Sequence, residues 1–162
     1  MEGFPITIGE KVKASVSLAD FDGNGKDDIV FGTDDDNIYL IYDDGSIGFS
    51  YQTGDKVRSA PIVIEYNEEK YIIAGSKDAT LYAINSSGEM HFSYGTDGSI
   101  YTSPSVLETE NGIMIFVGDD EGFIHSVDMH GNMHDGFPFY SINGDLLLPC
   151  LLYTSPSPRD AT

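Results

Sequence analysis

Short apolar runs, separated by glycine, asparagine or aspartate, recur along the chain and predict strands rather than helices. Four such runs follow one another in the middle of the sequence, at residues 58–64, 70–75, 80–84 and 90–94. They are rich in isoleucine, valine, tyrosine and phenylalanine, which are typical of strands. No stretch keeps a helical period over the length that a helix needs.

The runs belong to a repeat with a period of 43 residues, marked by Gly32, Gly75 and Gly118. A turn glycine recurs at the same spacing, in the pairs Asp44-Gly45, Ser87-Gly88 and His130-Gly131. Glycine at these places suits the positive φ of a two-residue hairpin turn. Four antiparallel strands in each repeat of this length are typical of one blade of a β-propeller.

The sequence therefore predicts an all-β fold, a partial β-propeller of about three four-stranded antiparallel blades plus the start of a fourth. Within residues 3–148 the predicted units cover about 4–45, 49–88 and 92–131, and the next starts at 137–148. The first unit would begin with an outer strand at 4–8. Because closed propellers use four to eight blades, we expect further blades of the same parent chain on both sides.

One acidic loop, from Asp20 to Asp28, distinguishes the first repeat from the other two. Alternating side-chain oxygens in its first half can point into one concavity, because the glycines between them permit a tight curl. So dense a set of hard oxygens suits Ca²⁺, which takes six to eight oxygen ligands. The predicted calcium ligands are the side chains of Asp20, Asp22, Asn24 and Asp28 and the carbonyl of Lys26.

Two other kinds of loop have a similar composition: an EF-hand and an acidic turn that binds no metal. An EF-hand requires a bidentate glutamate at its twelfth position, and twelve positions from Asp20 end at Phe31. The loop is also flanked by predicted strands rather than helices. An acidic turn between strands that binds no metal is the remaining alternative.

The D-x-D-x-N-G-x-x-D loop resembles the calcium loop of FG-GAP repeats in integrin-type propellers. The whole pattern resembles FG-GAP/VCBS-type and PQQ-like propeller repeats of secreted bacterial proteins, through the "GFP" turn at 3–5 and the run at 14–41. The resemblance covers residues 3 to about 148. In the second and third repeats, residues 65–69 and 108–111 stand in place of the metal loop. The resemblance therefore implies calcium binding in the first repeat only. Quinone-dependent dehydrogenases with such repeats use tryptophan docking motifs between blades. The chain has no tryptophan, which argues against that class of enzyme.

The charge balance of the chain argues against some classes of binding partner. The chain has 27 acidic against 8 basic residues, a formal net charge of -19. That argues against nucleic-acid or anionic-membrane binding, since both need clustered lysine or arginine. It fits an extracellular or cell-surface protein near divalent cations, with the periplasm possible. Neither a membrane-spanning apolar run nor a signal peptide is expected in this sequence.

The last stretch, 149–162, has a different composition. It contains three prolines and no glycine, and "CLLYTSPSPRDAT" looks like translated sequencing-adapter sequence. We expect a non-native or disordered tail, with a genuine proline-serine linker as the alternative. Cys150, the single cysteine, lies in this tail and precludes an intrachain disulfide.

Other candidate chemistry is weaker. A transition-metal site shared by His125, His130 and His134 is not expected from their places in the repeat. Residues 34–36 and 119–121 could bind a second cation but more simply form solvated loops. Five tyrosines could stack on sugars, although their regular recurrence favours packing: Tyr39, Tyr51, Tyr82, Tyr94 and Tyr101.

These observations predict a non-catalytic, calcium-binding propeller segment that acts in adhesion, or in protein or polysaccharide binding. No nucleophile motif is present. The alternative is the propeller part of a larger secreted enzyme, a lyase, hydrolase or quinone-dependent dehydrogenase, with its catalytic residues elsewhere. A metal-free envelope scaffold is a third possibility.

Overall fold

The computed structural model describes residues 4–140, which contain twelve strands in three four-stranded antiparallel sheets. Blade 1 contains β1 (Ser17–Ala19), β2 (Asp28–Gly32), β3 (Asn37–Ile41) and β4 (Ile47–Gln52). Blade 2 contains β5 (Ile62–Tyr66), β6 (Glu69–Ser76), β7 (Thr80–Asn85) and β8 (Met90–Gly95). Blade 3 contains β9 (Ser105–Thr109), β10 (Gly112–Gly118), β11 (Phe123–Val127) and β12 (Phe139–Tyr140). Strands neighbour one another in chain order within each sheet, which confirms the predicted partial propeller.

The repeat glycines occupy equivalent places in the three sheets, as predicted. Gly32 pairs with Ile38, Gly75 with Leu81, and Gly118 with Ile124, each at or next to the last residue of the second strand. The same backbone position therefore recurs in every blade.

The sheets group the strands differently from the sequence units at two places. Residues 4–8, predicted as the outer strand of the first unit, form no strand, and the outer strand of blade 1 is β4. β12 pairs with β11, so residues 139–140 of the predicted fourth unit complete blade 3 instead. The predicted continuation at 141–148 and the predicted tail at 149–162 lie outside the described residues.

The core consists of two layers, one between each pair of neighbouring blades. Alternate residues of a strand face opposite sides of its sheet. In blade 2, Ile72 and Ala74 therefore pack toward blade 1, while Tyr71 and Ile73 pack toward blade 3. At each of the two interfaces the apolar faces of neighbouring blades cover one another, as in other repeat proteins.

A glycine socket joins each blade to the next. A Cβ atom added at Gly32 would overlap the Val57 side chain, and one at Gly75 would overlap Ile100. Both β-branched residues are fully buried. Backbone bonds of 3.0 Å fix the same connections, from Val57 N to the Thr33 carbonyl and from Ile100 N to the Ser76 carbonyl.

The antiparallel order gives each blade two distinct ends. We call the end that carries the connections between first and second and between third and fourth strands the turn end. The opposite end, with the connections between second and third strands and between blades, is the crossover end. The acidic loop at 20–27 lies at the turn end, beside the turn at 42–46.

Candidate calcium loop and the crossover end

Asp20 organises the acidic loop through the backbone. Its carboxylate accepts hydrogen bonds from Gly23 N at 2.7 Å, Gly25 N at 2.9 Å and Asn24 N at 3.1 Å. The curl uses positive φ angles of 77° at Gly23 and 83° at Gly25. Donation by the Gly25 amide, followed by those of Gly23 and Asn24, lowers the pKa of Asp20. Asp20 is therefore held ionised in a defined orientation.

Asp28 anchors the other side of the loop at the first position of β2. Its side chain is fully buried. One carboxylate oxygen accepts a bond from Phe21 N at 2.7 Å, and the other accepts one from Asp43 N at 3.0 Å. A buried carboxylate needs such partners, because an unpaired polar group in the interior is costly.

The loop brings three of the predicted ligands together. One carboxylate oxygen each from Asp20, Asp22 and Asp28 lies within 4.8 Å of the others. Two oxygens bound to one Ca²⁺ at 2.3–2.6 Å can lie at most about 5 Å apart. The three carboxylates are therefore spaced compatibly with a single ion, without any change of the backbone.

Asn24 and Lys26, the other two predicted ligands, are engaged differently. The Asn24 side-chain oxygen accepts a bond from Lys26 N at 2.8 Å, and its amide donates to Asp22 at 3.0 Å. The predicted ligand atom of Lys26 is its carbonyl oxygen, whereas the Lys26 ammonium lies 2.5 Å from Asp43 Oδ2. Asn24 would have to rotate its amide to offer oxygen to a cation. Asp27, predicted to lie outside the ligand set, is exposed.

Asp43 is a member of the cluster that the sequence analysis did not include. It lies in the turn between β3 and β4 and accepts a bond from the Asn24 amide at 2.8 Å. The hydrogen bond from Lys26 lowers the pKa of Asp43. Sequence spacing alone could not reveal it, but the pairing of β2 with β3 places both turns at one end.

The other acidic and histidine groups form separate networks. Asp34 accepts a bidentate pair from Arg58, at 2.8 and 3.2 Å, and lies 3.3 Å from the Lys13 ammonium. The arginine lowers the pKa of Asp34 to about 2. His134 contacts Ser126 at 3.1 Å, whereas His130 is exposed, so these two histidines have different surroundings.

His125 lies in a buried network between blades 2 and 3. Its Nε2 lies 3.0 Å from Asp119 Oδ2, and its Nδ1 lies 3.0 Å from the Tyr94 hydroxyl. Burial opposes ionisation of Asp119, but bonds from His125 and from two backbone amides outweigh it and lower the Asp119 pKa. Asp97 also approaches within 4.8 Å. Asp119 and His125 satisfy each other, which explains why both can be buried, whereas Asp97 is exposed.

Most of the recurring tyrosines pack against neighbouring rings. Tyr39 stacks on Phe31 at 5.7 Å, and Tyr51 lies 5.8 Å from Tyr82 across the first blade interface. Tyr101 differs, because its side chain is 43% exposed at the crossover end. The Lys77 ammonium lies 5.9 Å from the centre of its ring. Tyr101 is thus an open aromatic surface next to a cation.

Comparison with protein families matches residues 7–109 to the lambda-carrageenase beta-propeller domain. This match covers more than half of the chain. The chain belongs to the lambda-carrageenase beta-propeller domain family. No curated protein matches the sequence. Membership agrees with the fold described above and with the propeller predicted from the repeats.

Solved structures show the same fold. BBS1N, crystallised in complex with ARL6DN, is 15% identical with a TM-score of 0.63, covering 85% of this chain and 42% of BBS1N. The WD40 beta propeller domain of Doa1 is 18% identical with a TM-score of 0.54, covering 74% of this chain and 37% of Doa1. This carrageenase-type chain therefore spans about two-fifths of the length of these propellers. Between residues 4 and 140, no helix is long and apolar enough to cross a membrane.

Proposed function

We propose that this chain is a non-catalytic propeller segment of a secreted or cell-surface protein, stabilised by Ca²⁺ in an FG-GAP-like loop. The convergence of Asp20, Asp22 and Asp28 carries the proposal. All three carboxylates accept hydrogen bonds from backbone amides, so the loop is ordered around the place where the ion would bind.

Calcium would act by removing repulsion. Three carboxylates within 4.8 Å repel one another, and the nearby Lys26 ammonium is paired with a fourth carboxylate, that of Asp43. A divalent cation at their centre would replace this repulsion by attraction. Since Asp28 begins β2 and contacts the turn after β3, the ion would tie the loop to the body of blade 1.

The ligand we propose for the segment is a polysaccharide. The segment would bind it as the propeller part of a larger secreted enzyme. The family model is named for lambda-carrageenase, which supports the enzyme alternative raised from the sequence. Tyr101 supports the ligand class, because an exposed ring beside the Lys77 ammonium can stack on a sugar while the cation contacts a polar or anionic substituent.

A protein ligand is the second candidate. BBS1N, which shares this fold, was crystallised in complex with ARL6DN. Adhesion through the crossover end would use the same loops.

A calcium titration tests the metal site. At a hundred times the dissociation constant, binding adds about 2.7 kcal/mol to stability, which corresponds to a rise in Tm of roughly 5–10 °C for a chain of this size. Asp22→Ala should abolish the rise because it removes a ligand, whereas Asp27→Ala, in the same loop, should retain it. Magnesium at equal concentration controls for charge screening. A full calcium response in Asp22→Ala would show that the metal assignment is wrong.

Affinity electrophoresis in gels containing carrageenan or a neutral polysaccharide tests the ligand. We expect retardation by at least one polysaccharide, and Tyr101→Ala should weaken it up to about tenfold through loss of ring stacking. Tyr140→Ala removes another exposed tyrosine, at the edge of blade 3, and should change nothing. Equal mobility with and without polysaccharide would favour the protein ligand instead.

A further inference from the structure

The segment before blade 1 repeats the segment that joins blade 1 to blade 2. Residues 3–16 read GFPITIGEKVKASV, and residues 48–61 read GFSYQTGDKVRSAP, 45 positions later. Phe4 thus corresponds to Phe49, Lys11 to Lys56 and Val12 to Val57. The later segment comprises the outer strand of one blade and the connection into the next.

The structure places the two connections alike. The Lys11 carbonyl accepts a hydrogen bond from Asp34 N at 3.0 Å, and the Lys56 carbonyl accepts the equivalent bond from Lys77 N at 3.0 Å. The segment before blade 1 therefore contacts blade 1 as the later connection contacts blade 2.

The residues that correspond to an outer strand also behave like one. Phe4, Ile6 and Ile8 are half-buried, and they alternate with the exposed Pro5 and Thr7. They line a cavity of about 350 Å³ against the outer face of blade 1, formed by Ile29, Phe31 and Ile41. Phe49 and Tyr51 of β4 contact the facing core of blade 2 in the same manner.

Val12 breaks the equivalence. Val57 and Ile100, at the same place in the later connections, are 1% and 0% exposed because each fills a glycine socket. Val12 is 42% exposed, and Val16 and Leu18 beyond it are exposed as well. A residue that elsewhere joins two blades here faces solvent.

We propose that residues 4–16 complete a further blade: they supply its outer strand and insert Val12 into its glycine socket. The occupant of this surface is a three-stranded unit of the same repeat, equivalent to β9–β11, with glycine at the end of its middle strand. Only three strands are needed because residues 4–8 provide the fourth. The internal interfaces of this chain are the evidence, since both use one glycine, one β-branched residue and the same backbone bonds. This inference rests on the fold and not on the proposed function.

A fusion supplies the occupant. A copy of residues 98–135 placed directly before Gly3 preserves the natural junction, because Gly136-Phe137-Pro138 follows Asp135 just as Gly3-Phe4-Pro5 would follow the copy. We expect the melting temperature to rise by at least about 5 °C, since apolar surface of blade 1 becomes covered. Circular dichroism melts of the full chain and the extended chain measure this shift.

Two variants make the test specific. Val12→Asp should cost several degrees in the extended chain, where it would bury a charge, and less than about 1 °C in the original chain. Gly118→Val in the added copy alone should remove the gain by filling the socket. Thr7→Asp, at an exposed position, should be neutral in both chains.

Three outcomes would overturn the proposal. The first is an unchanged Tm on extension, and the second is an equal cost of Val12→Asp in both chains. The third is an original chain that forms a defined dimer even at low ionic strength, where its net charge keeps copies apart, and that Val12→Asp dissociates, because a second copy would then be the occupant.

Discussion

At the residue scale, the distance between blades is set by glycines that accept a β-branched side chain. Gly75 illustrates the constraint: an added Cβ would overlap Ile100, so no side chain fits between β6 and the connection that contains Ile100. Ser59 reinforces the position, since its hydroxyl bonds both the amide and the carbonyl of Gly75 at 2.8 Å. Gly75 is thus required because two segments of the backbone approach closely there, and not because the chain turns.

Gly75→Ala should therefore destabilise the chain. The added methyl would overlap Ile100, and overpacking of a core typically costs about 1–3 kcal/mol. Urea unfolding would measure the loss. Gly95→Ala is the matched control, because its added Cβ meets nothing within 4 Å.

A double-mutant comparison identifies the cause. If the overlap with Ile100 is responsible, Gly75→Ala should cost clearly less when Ile100 is already alanine, because the blocking atoms have been removed. An equal cost in both backgrounds would mean that the methyl group acts elsewhere.

Acid should weaken the chain through Asp34. Folding lowers its pKa from the ordinary 3.8 to about 2, chiefly through the bond from Arg58. Between these values the unfolded state binds more protons, so the contribution is complete above about pH 4 and is lost as pH falls through about 2. The Tm gap between the original chain and Asp34→Asn should be largest near pH 5 and close by about pH 2. A gap that persists at pH 2 would contradict this account.

At the scale of strands and turns, the repeats in the sequence predicted the strands of each blade and the equivalent positions of its glycines. The 43-residue spacing placed the glycines of β2, β6 and β10 at one register, because equivalent residues of a repeat meet equivalent neighbours. The four apolar runs of the middle repeat overlap β5 to β8. Periodic sequence and periodic structure report the same packing constraint.

What the sequence could not provide were contacts between elements distant in the chain. Asp43 lies 15 residues after Asp28, yet its backbone amide donates a hydrogen bond to the Asp28 carboxylate, because a hairpin returns the chain to the turn end. Likewise, nothing local distinguishes an outer strand that ends one blade from one that begins the next. Only the pairing of β12 with β11 assigns residues 139–140 to blade 3.

At the scale of the whole molecule, two opposing features control association. The net charge of -19 makes copies of the chain repel one another. The outer face of blade 1, with Val12, Val16 and Leu18 exposed, favours contact with another apolar surface. Which feature prevails depends on salt, since the screening length falls from about 30 Å at 0.01 M to about 3 Å at 1 M.

We therefore expect the isolated chain to associate increasingly as sodium chloride is raised from about 0.01 M to about 1 M, because charge repulsion is then screened. Light scattering after gel filtration would measure the mean mass. Leu18→Ser should reduce association at high salt because it removes exposed apolar surface, whereas Tyr140→Ser, far along the chain in β12, should reduce it less. The fusion that covers blade 1 should have the same effect as Leu18→Ser. A monodisperse monomer with a high, sharp melting transition at every salt concentration would show that the exposed face is tolerated in solution.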